Sequence, residues 1–216
     1  MVHPLGDWAQ RARANRYNKK NPRELKAILE CLAPLELEGG DRFVDFGCGQ
    51  GFHLLEAAKR VQQAIAVDGS PSQLAHARRV LRGRANVQFL LSDFLQVRLA
   101  GGWISKGFSR RALHHLDDRG KHAFLAGISP AFGPGGLFLL EDVIRFPGWQ
   151  AALADFQAGR GDPALQVPLC LQADIGEAFP AQLGTLAAAF AGGGFRILSC
   201  QQLSPFYGRI LAQHVG

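Results

Sequence analysis

The 216-residue sequence predicts an α/β fold built on a mostly parallel sheet with helices on both faces. Three observations predict it. Short apolar runs stopped by Gly or Asp alternate with stretches whose apolar residues recur at helical spacing, the pattern of βαβ units. One such run, VDFGCGQG at 44–51, opens directly into three glycines spaced two apart. The two runs after it end on carboxylates, Asp68 and Asp93. Ligands in open α/β sheets sit beyond the carboxyl ends of the strands, so these features converge on one place.

The elements follow in order. NPRELKAILECLAPL carries Leu25, Ile28, Leu29 and Leu32 at helical spacing, with Asn21 as N-cap and Pro22 in the first turn. RFVDFG at 42–47 reads as a strand and GFHLLEAAKRV as the helix after it. AIAVDG at 64–69 is the second strand of the repeat. SPSQLAHARRVLRG then has Ser70 as N-cap, Pro71 at the first helical position and Gly83 at the end. VQFLLSD at 87–93 is the third strand and WISKGFS at 103–109 the fourth. DDRGKHAFLAGISPAF reads as a helix, and GPGG as a turn into a fifth strand, LFLLEDVI at 137–144. GWQAALADFQ and QLGTLAAAFA are helical pieces, and FRILSCQQL and RILAQHV flank the turn SPFYG as an antiparallel hairpin at one edge.

Composition narrows the class. An apolar fraction of 47% fits one globular core. No apolar run approaches the ~20 residues of a membrane helix, and the N-terminus lacks the apolar stretch of a secretory signal. A soluble cytoplasmic protein without membrane contact is the expectation. Cys31, Cys48, Cys170 and Cys200 show no C-x-x-C spacing, so neither a zinc site nor a disulfide framework is expected. The charge of +6 raises the question of nucleic acid. Basic residues cluster at 11–24 and in HARRVLRGR at 76–84, and solvated helix faces account for both clusters.

Gly47, Gly49 and Gly51 leave a backbone that takes positive φ and that a ligand can approach closely. The dinucleotide fingerprint needs a third glycine where Phe52 stands, which argues against a dinucleotide. Asp68 is placed to accept both hydroxyls of a ribose, and Asp93 to accept from an exocyclic amine while Phe94 covers a base.

VDFGCGQG, AVDGS, LLSDF, RALHHL and GPGGLFLLED, in that order and at these separations, resemble the class I S-adenosylmethionine-dependent methyltransferases, in the branch acting on small molecules. The resemblance spans roughly residues 20–216. It implies a Rossmann-like three-layer sandwich with a seven-stranded, mostly parallel sheet whose last strand is antiparallel. It also implies S-adenosyl-L-methionine as the cofactor. Gly47 and Gly49 would lie against its methionine part, with Cys48 and Gly51 completing the loop, and Asp45 would fix its amino group. Asp68 would hold the ribose, Gly69 and Ser70 would border the adenine, and Asp93 with Phe94 would recognise its amino edge. Gln50 stands where many members have Thr or Ser, and Gly101-Gly102-Trp103-Ile104 replaces the usual Asp-bearing start of the fourth strand.

Methyl transfer requires the nucleophile to be held close to the methyl, and a base only where the acceptor carries a proton of high pKa. His114 and His115 are the catalytic candidates, with a structural role for the LHHL loop as the rival reading. A metal held by His114 and Asp118 is not expected, since two ligands make a poor site. Residues 1–35 read as an N-terminal helical cap and 36–216 as the core, with a substrate-side helical insertion at 147–190. Arg11, Arg16, Tyr17, Arg145 and Trp149 are the substrate-side candidates, alongside Trp8 and Phe156. The expected reaction is methyl transfer to O, N or C of a small metabolite or natural-product intermediate. RNA as the acceptor is disfavoured because the segment SRRALHHL lacks the Asn/Asp-Pro-Pro-Tyr motif. The second rival is a non-catalytic cofactor-binding regulator. Neither the acceptor nor the oligomeric state is read from the sequence.

Overall fold

A computed structural model describes residues 22–162, 168 and 179–216. Asn21, Trp8, Arg11, Arg16, Tyr17 and Cys170 lie outside the described residues. The elements are α1 (Pro22–Leu32), β1 (Arg42–Phe46), α2 (Phe52–Ala57), β2 (Gln63–Asp68), α3 (Pro71–Val80), β3 (Val87–Leu91), β4 (Ile104–Arg110), α4 (Asp118–Ile128), β5 (Phe132–Arg145), α5 (Trp149–Gln157), β6 (Ala181–Gln182), α6 (Leu183–Gly192), β7 (Phe195–Gln202) and β8 (Tyr207–His214). Seven strands run in the order β3-β2-β1-β4-β5-β8-β7, and the two-residue β6 pairs with the end of β5. β1 to β5 are parallel, and β8 is antiparallel to both β5 and β7.

The sheet is Rossmann-like and mostly parallel, and its inner strands are apolar on both faces because helices cover both. On β1 and β5, Phe43 and Leu139 face Ile28, Leu32, Leu54 and Leu74 of the α1–α3 layer. Val44, Phe46, Phe138 and Leu140 face Phe124, Leu125, Leu186 and Phe190 of α4 and α6. The strict alternation of residues 43, 44 and 46 is the period of a strand expressed on two cores at once. No helix among the described residues is long and apolar enough to cross a membrane.

Three local readings change. GPGG is not a turn before β5 but lies inside it: the pairing jumps from Ile104↔Phe132 to Lys106↔Leu137, so the segment bulges out of a strand that starts at Phe132. Gly208 of SPFYG belongs to β8, where a Cβ would meet the Phe146 ring at 2.6 Å, so this glycine serves packing and not the turn. The turn is made by Ser204, whose hydroxyl accepts the N–H groups of Phe206 and Tyr207. The register of the fourth strand is fixed by Phe43↔Lys106 and Asp45↔Phe108. Ser105 then stands second in β4, where it accepts the Arg42 N–H and donates to Asp41 at 2.8 Å.

Candidate functional site

The three glycines of the loop after β1 meet three different demands. Val67 O accepts the N–H groups of both Gly47 and Cys48, at 2.8 and 3.0 Å, so the chain bends across the end of β2. At Gly47 (φ +77°) a Cβ would lie 2.5 Å from Ala112 Cβ and 3.2 Å from the Phe94 ring. No side chain fits there. At Gly49 (φ +52°) nothing lies within 4 Å of a Cβ, so its open side is free for a ligand. Gly51 (φ +79°) opens α2 and presses on Ala77 and Leu81, each 3.1 Å from a Cβ. It supplies the close helix packing that the absent glycine at position 52 would give a dinucleotide fold.

Carboxylates line the ends of β1, β2 and β3. Asp45 is 3% exposed. Burial, and then the negative charge of Asp68, push its pKa up to about 8. Asp68 accepts the Gly49 N–H on one oxygen and the Ser70 N–H on the other, both at 2.8 Å. Burial raises its pKa, and those two N–H groups oppose the rise. Each oxygen keeps a second lone pair for a ligand hydroxyl. Ser70 caps α3 by accepting the Gln73 N–H, which sets Gly69 and Ser70 beside the Asp68 carboxylate. Asp93 uses Oδ1 to accept the Leu95 N–H at 2.7 Å and so shapes the turn after β3. The Phe94 ring is packed edge-on against Phe124, 5.1 Å between centroids, where it supports the glycine loop.

Beyond β4, His114 Nδ1 lies 2.6 Å from Asp142 Oδ1. The other Asp142 oxygen accepts the N–H groups of Ala112 and His114, and Oδ1 also accepts that of Val143. Burial alone would raise the pKa of Asp142, but His114 and these N–H groups outweigh it and hold it below the ordinary range. The arrangement selects the His114 tautomer that donates from Nδ1 and leaves Nε2 as acceptor. The His115 ring rests on that of His114, with centroids 4.1 Å apart. The His114 carbonyl accepts the Phe179 N–H at 2.6 Å. The ammonium of Lys121, 2% exposed, donates to the carbonyls of Leu116 and Phe179 and ties residue 179 over this loop.

On the opposite face of β5, Glu141 gathers two arginines from the flanking strands. Arg110 donates to it at 2.7 Å and Arg209 at 2.8 Å, and the Cys31 thiol donates from α1. Burial works to raise the Glu141 pKa, and the two guanidinium groups hold it low. Arg111, next along the chain, has φ +52°, which a residue with a Cβ rarely adopts. Its guanidinium stacks over the Tyr207 ring at 4.6 Å. It makes no ion pair with a described carboxylate, and burial together with Arg110 lowers its pKa.

The fold thus brings Asp45, Gly47, Cys48, Gly49, Gly51, Asp68, Gly69, Ser70, Asp93 and Phe94 to adjoining strand ends, and places His114 and His115 beyond the neighbouring strand. Arg145 stacks over Trp149 at 5.7 Å where β5 gives way to α5. Arg11, Arg16 and Tyr17 fall outside the described residues. No group of three or more metal-ligating side chains occurs among the described residues. Sequence reasoning missed Asp142, Lys121 and Arg111. The signal for Asp142 was present: two adjacent acids closing the apolar run LFLLED must point to opposite faces of a strand, and a carboxylate buried there needs a partner.

The methyltransferase domain family model matches residues 43–136. A 23S rRNA (uracil(1939)-C(5))-methyltransferase of Stenotrophomonas maltophilia is 34% identical over 90 residues, 41% of this chain and 20% of that protein. An uncharacterized methyltransferase of Mycobacterium tuberculosis is 28% identical over 110 residues, 51% of this chain and 53% of that protein. The chain spans between a fifth and about half of the length of these two relatives. Geranyl diphosphate C-methyltransferase from Streptomyces coelicolor, solved as a crystal structure, has the same fold, with a TM-score of 0.70 over 89% of this chain and 79% of that one at 16% identity.

Proposed function

We propose that this chain is a class I S-adenosylmethionine-dependent methyltransferase, a reading supported by the methyltransferase domain model that matches residues 43–136, and that it transfers a methyl group to O, N or C of a small organic molecule. The observation that carries the choice of acceptor is the return of the chain at Phe179 onto the His114 loop, fixed by the buried Lys121. A chain segment held against the loop that carries the candidate base favours a small acceptor over a polymer.

The residues present fit the cofactor. Asp45 offers a buried carboxylate to an ammonium, Asp68 offers lone pairs to ribose hydroxyls, and Gly49 leaves the approach open. Bound there, S-adenosylmethionine would supply an electrophilic methyl on a sulfonium, open to an electron pair of the acceptor. The chain's own part is to orient the acceptor and, where the acceptor is protonated, to take its proton at His114 Nε2. Asp142 keeps that nitrogen a base by engaging Nδ1.

A second reading, RNA as acceptor, draws on the likeness to an rRNA methyltransferase and on the exposed Arg78, Arg79 and Arg82 at the end of α3. Incubating the protein with methyl-labelled S-adenosylmethionine, a metabolite extract and total RNA separates the readings. Label in the small-molecule fraction supports the first, and label confined to RNA replaces it with the second. Binding of S-adenosylmethionine with no transfer to either fraction points to a non-catalytic regulator. No binding would remove the cofactor assignment itself.

A further inference from the structure

Four arginines leave the carboxyl end of the sheet on or beside β4, β5 and β8, and they divide into two kinds. Arg110 and Arg209 share the Glu141 carboxylate. Arg111 and Arg145 make no ion pair with a described residue; each stacks on an aromatic ring and holds a buried Nε with no hydrogen-bond partner. Desolvating a guanidinium without a direct ion pair is costly: at Arg111 burial outweighs the attraction of the more distant Glu141 and Asp142 carboxylates, and the backbone is left-handed. Unfavourable conformation and an unpartnered buried donor at one residue are the marks of a group arranged for a ligand.

Position says which ligand. The carboxylates fitted to the cofactor stand on β1 to β3, whereas the Arg111 guanidinium reaches the other way, across β5 to Tyr207 on β8. β1 and β8 are three strand spacings apart, roughly 14 Å. Ala112, the next residue, abuts Gly47 of the loop, so Arg111 flanks the cofactor site with its charged head on the far side. Arg145 lies two residues beyond Val143, the register partner of Tyr207. We propose that Arg111 is the anion-recognising residue of the acceptor site, and that the methyl acceptor carries an oxyanion, a carboxylate or a phosphate ester, at its end away from the cofactor. A planar guanidinium binds such groups through two parallel N–H donors. The assignment rests on the methyl-transfer reading and gives its acceptor a chemical class.

The test is direct binding to the protein saturated with S-adenosylhomocysteine, using benzoate and phenyl phosphate against the neutral benzyl alcohol, followed by ligand-observed NMR. The wild type should bind at least one anionic probe about tenfold or more tighter than the alcohol. Arg111→Gln should abolish that preference, and Arg111→Lys should keep part of it. Equal binding of charged and neutral probes, or a preference that survives Arg111→Gln, overturns the proposal. So does a tenfold loss of S-adenosylhomocysteine affinity in Arg111→Gln with methylthioadenosine unchanged, because the anion met by Arg111 would then be the cofactor's own carboxylate. If S-adenosylhomocysteine fails to bind the wild type, the methyl-transfer reading fails by itself, and the same probe titration on the ligand-free protein still decides the role of Arg111.

Discussion

Asp142 holds His114 from both ends, accepting the ring Nδ1 at 2.6 Å and the same residue's backbone N–H at 3.2 Å. One carboxylate therefore sets the tautomer of the imidazole and the path of the chain that carries it. Replacing it with Ala leaves three backbone N–H groups, of Ala112, His114 and Val143, and the ring nitrogen without this acceptor. We expect Asp142→Ala to lower stability by about 3 kcal/mol, the scale on which breaking a buried pair destabilises, read from urea unfolding. The sign with pH follows from a folded pKa held below the ordinary value of 3.8. The stabilisation is complete above that value and disappears as pH falls below it, so the wild type should lose its advantage over the variant in acid.

Asp45 behaves in the opposite sense. With its pKa at about 8, the ligand-free protein keeps this carboxyl protonated at neutral pH. A raised folded pKa stabilises the fold fully at pH below about 4, and that contribution is lost as pH rises toward 8. An ammonium bound beside it favours the carboxylate, so binding releases a proton. S-adenosylhomocysteine affinity should rise with pH between 6.5 and 8, by up to about tenfold per unit for a single proton. Calorimetry in two buffers of different ionisation enthalpy measures the released proton directly. An equal pH slope in Asp45→Asn would assign the proton elsewhere.

Asp68 joins the loop to the strand, since Gly49 and Ser70 both donate to it. Asp68→Ala should weaken S-adenosylhomocysteine binding by about 1.5 to 3 kcal/mol, the range for hydrogen bonds to a charged group. Unchanged affinity by calorimetry would refute the ribose assignment.

Gly47 and Gly49 should separate cleanly. Both have positive φ, which costs a residue with a Cβ about 1 to 2 kcal/mol. Gly47→Ala adds a 2.5 Å clash with Ala112 Cβ, while Gly49→Ala meets nothing within 4 Å. Thermal unfolding should therefore show Gly47→Ala as the more destabilised protein. Similar unfolding temperatures would mean that the loop yields at residue 112.

β1 and β2 were legible because both of their faces are buried, so their runs are largely apolar and stop at glycine or aspartate. The carboxylates at the strand ends were legible for the same reason: a charge closing an apolar run has a conspicuous address. The bulge at GPGG was not, since Pro and Gly also mark turns, and only the Phe132 pairing with Ile104 shows that the strand began earlier. Arg111 was hidden because its unusual backbone and its reach to Tyr207 arise from contacts almost a hundred residues apart. Asp142 was visible as a letter but not as a partner, because local pattern cannot say that His114 comes to meet it.

The placement of β8 between β5 and β7 bears on how the chain is made. Emerging from the ribosome, β5 has β4 on one side and an exposed row of backbone donors and acceptors on the other until residues 207–214 arrive. During that interval Glu141 lacks Arg209 and Arg111 lacks the Tyr207 ring. The arginine cluster at this end of the sheet is thus finished by the same event that closes the sheet, and a nascent chain stalled before β8 carries the glycine loop without Tyr207 and Arg209.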